Sequence, residues 1–196
     1  MILITMAEIS KDKWEQPAEE MASFMLELAK EGDRSAVVLG AARIDVALED
    51  LLKSIMRPHP GGSDNLFDPD RPLGTFSSKI SLAFRLSLID SEFEHALQMI
   101  RKIRNDFAHS TQKLSLSEAR EKDRVRDLIR VVGKVGDRFH QLREILSHRG
   151  SPELVEFSVA VCVLLVSLIV TTDRNQTFTP ARTAQLRKLE PKKPAN

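Results

Sequence analysis

One run of residues, from Leu154 to Thr172, limits the fold of this chain more than any other feature. It is rich in Val, Leu and Ile and holds Glu156 as its only charged residue. Ser151-Pro152-Glu153 precede it and supply a cap, a proline at the first helical position and an acid in the first turn, which is typical of a helix start. A membrane span needs about twenty apolar residues, and this run lacks an aromatic belt and a basic flank at its start. A helix that is apolar all round is better explained as the buried centre of a bundle.

The composition supports an all-α fold built around this helix. The chain has 196 residues, with 8 Gly and 9 Pro that are sparse outside one loop, and its length suits one domain with a sizeable core. We predict a bundle of about six to seven helices in a single domain at residues 1–173, followed by a basic, disordered tail at residues 174–196. The one cysteine, Cys162, excludes a disulfide framework within the chain and is expected to be a small buried hydrophobe.

The second predicted helix begins with Asp33 as its N-cap, after Gly32 has capped an earlier helix over 18–30, and it ends near Met56. Small residues at Gly40 and nearby alanines should let a neighbouring helix approach closely. Asp45 and Glu49 lie one turn apart at the edge of the apolar stripe. Like charges so placed repel each other unless a cation lies between them.

The segment from Arg57 to Gly74 is the one long irregular stretch, and Phe67 and Leu73 suggest that it is partly pinned to the core. Thr75 is expected to cap a third helix that ends near Leu88. The fourth helix is predicted to start with a capping box of Ser91 and Glu94. Ser117 is predicted to open a fifth, highly charged helix, and a further apolar segment runs from Phe139 to Leu146.

The fourth helix carries the segment richest in chemistry, Arg101-Lys102-Ile103-Arg104-Asn105-Asp106-Phe107-Ala108-His109. At about 100° per residue, Arg104 falls within the apolar stripe that Phe93, Leu97, Ile100 and Phe107 form. An arginine there requires a carboxylate or carbonyl partner, so we predict that Arg104 is buried and paired with Asp45 or Glu49. Arg101 is the other candidate for these carboxylates. Asn105 and His109 share a more polar face, one turn apart.

A longer pattern resembles the bacterial mannitol operon repressor family over roughly Val37 to Ser110. It comprises Leu66-Phe67-Asp68, Pro72-Leu73, Thr75-Phe76-Ser77-Ser78-Lys79-Ile80, Ala83-Phe84, Leu88-Ile89 and the segment from Arg101 to His109. This resemblance implies an all-helical regulator of sugar-alcohol uptake genes that lacks a recognisable DNA-binding motif. Under this hypothesis the chain acts through protein contacts, is not an enzyme, and uses Asp45, Glu49, Arg101, Arg104, Asn105 and His109 as a structural or ligand-binding motif.

The motif also resembles HEPN domains, whose hallmark is Arg-Asn followed by three residues and His, as in Arg104-Asn105 through His109. This resemblance implies a metal-independent ribonuclease. His109 would act as acid or base, Arg104 would bind phosphate, and Asn105 would orient the histidine or the substrate. On a straight helix Arg104 and His109 point about 140° apart, so two motifs would have to meet in a dimer.

Charge is distributed unevenly along the chain. Residues 1–70 carry 7 basic and 14 acidic side chains, whereas residues 101–149 carry 13 basic and 7 acidic ones. The two parts can pair within a chain or between protomers, or the basic part can bind an anionic partner. We therefore expect protein partners, including self-association, with RNA as a partner only under the ribonuclease hypothesis.

Several classes of site are not expected from the sequence. A helix-turn-helix over 128–142 lacks the usual small residue before the turn, so strong sequence-specific DNA binding is not predicted. There is no phosphate loop and no zinc spacing, and hence neither a cofactor nor a metal is expected. The first residues are too short for a signal-peptide core. With no membrane association predicted and a single cysteine, we expect a cytoplasmic protein.

Overall fold

The computed structural model describes residues 15–57, 65–133, 143–144, 146 and 150–189, and this part of the chain is helical without strands. The long helices are α1 (Glu15–Lys30), α2 (Asp33–Ile55), α3 (Phe76–Arg85), α4 (Ser91–His109), α5 (Ala119–Val132) and α6 (Pro152–Leu189). The prediction of an all-α bundle is therefore confirmed. Most of the predicted segment from Phe139 to Leu146 lies outside the described residues.

Helix α6 forms the centre of the bundle, as its uniform apolarity predicted. From Leu154 to Leu165 every side chain except Glu156 is buried, including Cys162 at 1% exposure. Burial raises the pKa of the Cys162 thiol to about 12. Helices α1, α2 and α5 pack around α6, and Ser151 caps its start by accepting a hydrogen bond from the Leu154 amide.

The segment from Pro152 to Asn175 is long and apolar enough to cross a membrane, and 72% of its most apolar window is buried inside the protein. Such burial is also typical of a core helix in a bundle. The helix continues to Leu189 and thus extends into the segment that we predicted to be a basic, disordered tail. Residues 181–189 contain Ala, Arg, Gln, Leu and Lys, which favour helix strongly. Residues 190–196 lie outside the described part.

The α2–α6 contact depends on Gly40, as the small residues in α2 predicted. A Cβ added at Gly40 would lie 3.1 Å from Cγ2 of Val161 and 3.5 Å from Cε1 of Phe157. Larger side chains at this position would push the two helices apart, and close packing in the core leaves little room for such a shift.

The connection between α4 and α5 joins the starts of two other helices. Asp33 accepts hydrogen bonds from the Ser115 hydroxyl (2.7 Å) and the Leu116 amide (2.8 Å). Gly32, in extended conformation, is the N-cap of α2, so both the predicted cap role of Asp33 and the predicted C-cap role of Gly32 are wrong. Ser117 donates to Glu153 at the start of α6 (2.8 Å). Helices α2 and α6 therefore begin at the same end of the bundle.

The irregular segment before α3 is held by the side chains that the sequence suggested. Phe67 and Leu73 are both 8% exposed, and the Leu73 amide donates to the Leu66 carbonyl. Gly74 is required there, because a Cβ would lie 2.1 Å from the Asp68 carbonyl oxygen. Thr75 then caps α3 by accepting from the Ser78 amide (3.1 Å).

Candidate functional site on helix α4

Helix α4 starts one residue earlier than predicted and turns its charged segment away from the core. Asp90, rather than Ser91, is the N-cap and accepts a hydrogen bond from the Phe93 amide (2.8 Å). Asp and Ser are equally favoured as N-cap residues, so the sequence left both positions open as the start of this helix. The helix then ends at His109, so the segment from Arg101 to His109 forms its last two and a half turns.

Arg104 lies at the edge of the buried row and not in its middle. The buried residues of α4 are Ala96, Leu97, Met99, Ile100, Ile103 and Phe107. The centre of this row is about 70° away from Arg104 around the helix, and Arg104 is partly exposed. The predicted stripe omitted Ile103 and Met99, which move its centre away from the arginine. The prediction that Arg104 is substantially buried is therefore wrong.

The two arginines of the motif bind neutral amide groups. Nη1 of Arg104 donates to Oδ1 of Asn105 (3.0 Å). Nε of Arg101 donates to Oε1 of Gln98 (2.9 Å), and Gln98 in turn donates to Glu94 (2.9 Å). Neither guanidinium forms an ion pair with a carboxylate within the described residues. Both guanidinium groups therefore lie at a partly solvated surface without a carboxylate partner in this part of the chain.

The carboxylates that we expected to bind Arg104 bind Lys79 on α3 instead. Nζ of Lys79 lies 2.8 Å from Glu49 and 3.1 Å from Oδ1 of Asp45, although this Asp45 oxygen accepts no well-aligned hydrogen bond. Lys79 is 4% exposed, so it occupies the place in the core that we assigned to Arg104. Glu49 also pairs with Lys53 on its own helix (2.6 Å).

The pKa values of this cluster follow from its ion pairs. Partial burial raises the pKa of Glu49, but hydrogen bonds from Lys53 and Lys79 and their charges outweigh it, so the pKa lies below its ordinary value. Burial lowers the pKa of Lys79, but its hydrogen bond to Glu49 and the negative charges of Asp45 and Glu49 outweigh this effect and raise the pKa overall. Both side chains are thus charged over a wide pH range, and the pair fixes α3 against α2.

Asp106, which sequence reasoning did not single out, attaches the same segment to α5. Its carboxylate accepts hydrogen bonds from Arg124 and from Arg120 (2.7 Å). The hydrogen bond from Arg124 and the charges of both arginines lower the pKa of Asp106, although desolvation acts in the opposite direction. Arg124 also binds the buried carboxylate of Glu121 (3.1 Å). The signal in the sequence was the spacing of Arg120 and Arg124, which places two cations on one face of α5 close after an acid at the end of α4.

His109 is the last residue of α4 and is exposed. No hydrogen bond or ion pair orients its ring within the described part of the chain. Asn105 lies one turn before it, with its side-chain oxygen bound to Arg104. The structure thus brings Arg104 and Asn105 together, but it joins His109 to neither of them by a hydrogen bond.

These residues form a cationic surface, the α4 polar face, which we define as Arg101, Lys102, Arg104, Asn105 and His109. The one acid in this segment, Asp106, is already bound to two arginines of α5. Guanidinium groups held only by amide oxygens can still bind a carboxylate or a phosphate through two hydrogen bonds. The α4 polar face is therefore suited to an anionic group.

A metal centre or a ligand pocket could also define a functional site. Among the described residues, no group of three or more His, Cys, Asp or Glu side chains is placed to hold a metal ion. An open hollow of about 560 Å³ lies between the start of α4 and the end of α5, lined by Ser91, Glu92, Glu94, His95, Arg130 and Val131. It is at the opposite end of α4 from His109 and contains none of the predicted motif residues.

No protein-family model, curated protein or solved structure matches this chain. The resemblances to the mannitol operon repressor family and to HEPN domains therefore stay hypotheses. The geometry of the α4 polar face is the basis for choosing between them.

Proposed function

We propose that this chain is a cytoplasmic regulatory protein, resembling the mannitol operon repressors, that acts through protein contacts and binds an acidic surface of its partner with the α4 polar face. The observation that carries the proposal is the state of Arg101 and Arg104, which bind amide oxygens and, among the residues that the structure describes, no carboxylate. Lys102 beside them is exposed. Such a surface gains from an anionic partner in both rate and specificity of association.

The control of sugar-alcohol uptake genes is the part of the proposal that comes from the family resemblance. It is compatible with the expectation that the isolated chain lacks strong sequence-specific DNA binding. In this proposal the chain reaches the genes through another protein, so contacts with its partner decide regulation.

Charge reversal on α4 tests this proposal. The double variant Arg101→Glu/Arg104→Glu should abolish regulation of a sugar-alcohol uptake operon in the native host, with an unchanged circular dichroism spectrum. The matched control is Arg126→Glu/Arg130→Glu on α5, whose side chains are 68% and 77% exposed; it should regulate normally. Equal regulation by wild type and the α4 variant would reject the proposed surface.

A second candidate function is RNA cleavage by the same face, as in HEPN domains. It is favoured by the exposure of His109 and by Arg104, which pairs with no carboxylate in the described ranges of the chain. His109 would transfer the proton and Arg104 would bind the phosphate. The side chains of Arg104 and His109 leave α4 about 140° apart, so a single copy of the chain does not direct both at one phosphate. For this reason RNA cleavage is the second candidate and not the first.

Cleavage assays separate the two candidates. In a metal chelator, wild type should degrade RNA only if the motif is catalytic. His109→Ala should then lower the rate by about 10²–10⁴, whereas His95→Ala, an exposed histidine near the start of α4, should change nothing. We expect no cleavage by wild type. Degradation that is lost specifically in His109→Ala would reverse the ranking.

A further inference from the structure

Helix α6 extends beyond the end of the bundle. Buried side chains recur along it as far as Val170, whereas the next five residues, Thr171 to Asn175, are all partly exposed. The helix nevertheless continues to Leu189. We define the basic arm as residues 174–189, the part of α6 that follows this change in burial.

The register of α2 against α6 shows where the bundle ends. Both helices begin at the same end, and Gly40 of α2 faces Phe157 and Val161 of α6. Gly40 is therefore level with about residue 159, midway between these two contacts, so Ile55 at the end of α2 is level with about residue 174. Beyond this level α2 no longer accompanies α6.

Helices α1, α4 and α5 also end before the basic arm begins. Helix α1 leads directly into the start of α2, Arg34 there donates to the Ser110 carbonyl after α4, and Ser117 before α5 donates to Glu153. All three helices are shorter than α2, so they end short of the level of residue 174. At 1.5 Å per residue, α6 extends about 22 Å past that level, and less if Pro180 kinks it.

The charged residues of the basic arm are all cations: Arg174, Arg182, Arg187 and Lys188. At about 100° per residue, their positions fall at about 0, 80, 220 and 320° around the helix. Positive charge is therefore placed on every side of the arm and is not confined to one face. Clustered cations along a helix are the electrostatic footprint of nucleic-acid binding.

A membrane surface suits this pattern less well. A helix that lies on a membrane keeps its cations on one face and its large apolar residues on the other. In the basic arm, the position of Arg182 falls between those of the large apolar residues, which are Phe178, Leu186 and Leu189. Turning that side of the helix towards lipid would bring a guanidinium group with it, at a cost in solvation.

We infer that the basic arm binds the phosphate backbone of duplex DNA without sequence preference. An α-helix with its side chains is about 10–12 Å across, and the major groove of B-DNA is about 12 Å wide. Phosphates border this groove on two sides, so cations on opposite sides of one helix can each meet a phosphate. The major groove of duplex RNA is too narrow to admit a helix in the same way. The inference is independent of the proposed regulatory role, because it concerns α6 and not the α4 polar face.

The salt dependence of DNA binding by the full-length protein tests this inference. With four phosphate contacts, the Kd for a fluorescent duplex of random sequence should rise about a hundredfold between about 50 and 200 mM salt. Arg182→Gln/Arg187→Gln/Lys188→Gln should weaken binding at low salt and reduce this rise to about fourfold, since one contact remains. Glutamine is a good helix former, so the circular dichroism spectrum should not change.

The matched control removes the same charge from the surface of the bundle. Arg85→Gln/Arg126→Gln/Arg130→Gln changes three exposed cations and should bind DNA as wild type does. Arg101→Gln/Arg104→Gln should also bind normally, which separates the basic arm from the α4 polar face. Equal losses in the two triple variants, or no DNA binding by wild type at low salt, would overturn the inference. Tighter binding to phosphatidylserine vesicles or to duplex RNA than to duplex DNA would overturn it too.

Discussion

Lys79 Nζ lies 2.8 Å from Glu49 Oε2, and only 5% of the Lys79 side chain is exposed. Thirty residues separate the two in sequence, so this pair joins the short helix α3 to α2 alongside the apolar side chains that α3 buries. A buried ammonium is stable only with its carboxylate in place. The pair therefore controls the position of the loop and helix that lead into α4.

Replacing Lys79 with Met should lower the free energy of unfolding by about 3 kcal/mol, because it leaves Glu49 and Asp45 close together without a buried cation. Chemical denaturation of the purified chain measures this change. Lys53→Met removes the other cation from Glu49, but its side chain is 44% exposed, so the loss should stay below about 1 kcal/mol. Equal losses in the two variants would contradict the structural role of Lys79.

The same cluster predicts how stability depends on pH. The lowered pKa of Glu49 contributes stability above the unfolded value of about 4.3, and this contribution is lost as the pH falls through the native pKa. The raised pKa of Lys79 contributes stability below about pH 10.4, which is lost as the pH rises through its native pKa. Denaturation midpoints should form a plateau between these limits. Glu49→Gln should flatten the acid limb relative to wild type, and an unchanged limb would argue against the assignment.

Arg124 should be the arginine of α5 on which stability depends most. Arg124→Met removes a partner of Asp106 and of Glu121, whose carboxylate is buried at 3% exposure. Glu121 would then keep only Arg120, whose Nε lies 3.9 Å from its carboxylate, and this loss should cost about 1–3 kcal/mol. Arg126→Met breaks only an exposed pair with Asp123 and should cost less than about 0.5 kcal/mol. Thermal unfolding of the two variants should separate them clearly, and overlapping curves would disprove the claim.

Gly74→Ala should distort the loop before α3. The added Cβ would meet backbone oxygens of Asp68 and Pro69 at 2.1 and 2.6 Å, and backbone atoms cannot move aside as side chains do. We expect a loss of about 1–3 kcal/mol, as for other overpacked sites. Gly133→Ala meets no atom within 4 Å and lies in helical conformation, so it should be neutral or slightly stabilising. A neutral Gly74→Ala in denaturation experiments would contradict the tight turn.

The parts of the fold that depend on local pattern were predictable from the sequence. The apolar run after Ser151 identified the central helix, and Thr75 identified the start of α3. Phe67 and Leu73 identified the attachment of the loop. In each case the relevant signal lies within a few residues of chain, where periodicity and capping preferences act directly.

The charge partners could not be predicted in the same way. Asp45 and Glu49 correctly indicated a buried cation, but Lys79 and Arg104 compete for that place, and only the arrangement of α3 against α2 decides between them. The burial of Arg104 was hard to predict for a similar reason. Once Ile103 is included in the buried row of α4, the centre of the row moves and Arg104 lies at its edge. Which of several cations meets an acid depends on tertiary geometry, and the sequence contains that information only indirectly.

Cys162 makes opening of the core directly measurable. It is the only thiol in the chain, lies in the central helix at 1% exposure, and has a pKa of about 12. An alkylating reagent can therefore modify it only when α6 leaves its neighbours. The ratio of its labelling rate to that of a free thiol reports how often the bundle opens under native conditions. The labelling rate of this one buried thiol thus measures local unfolding around the central helix.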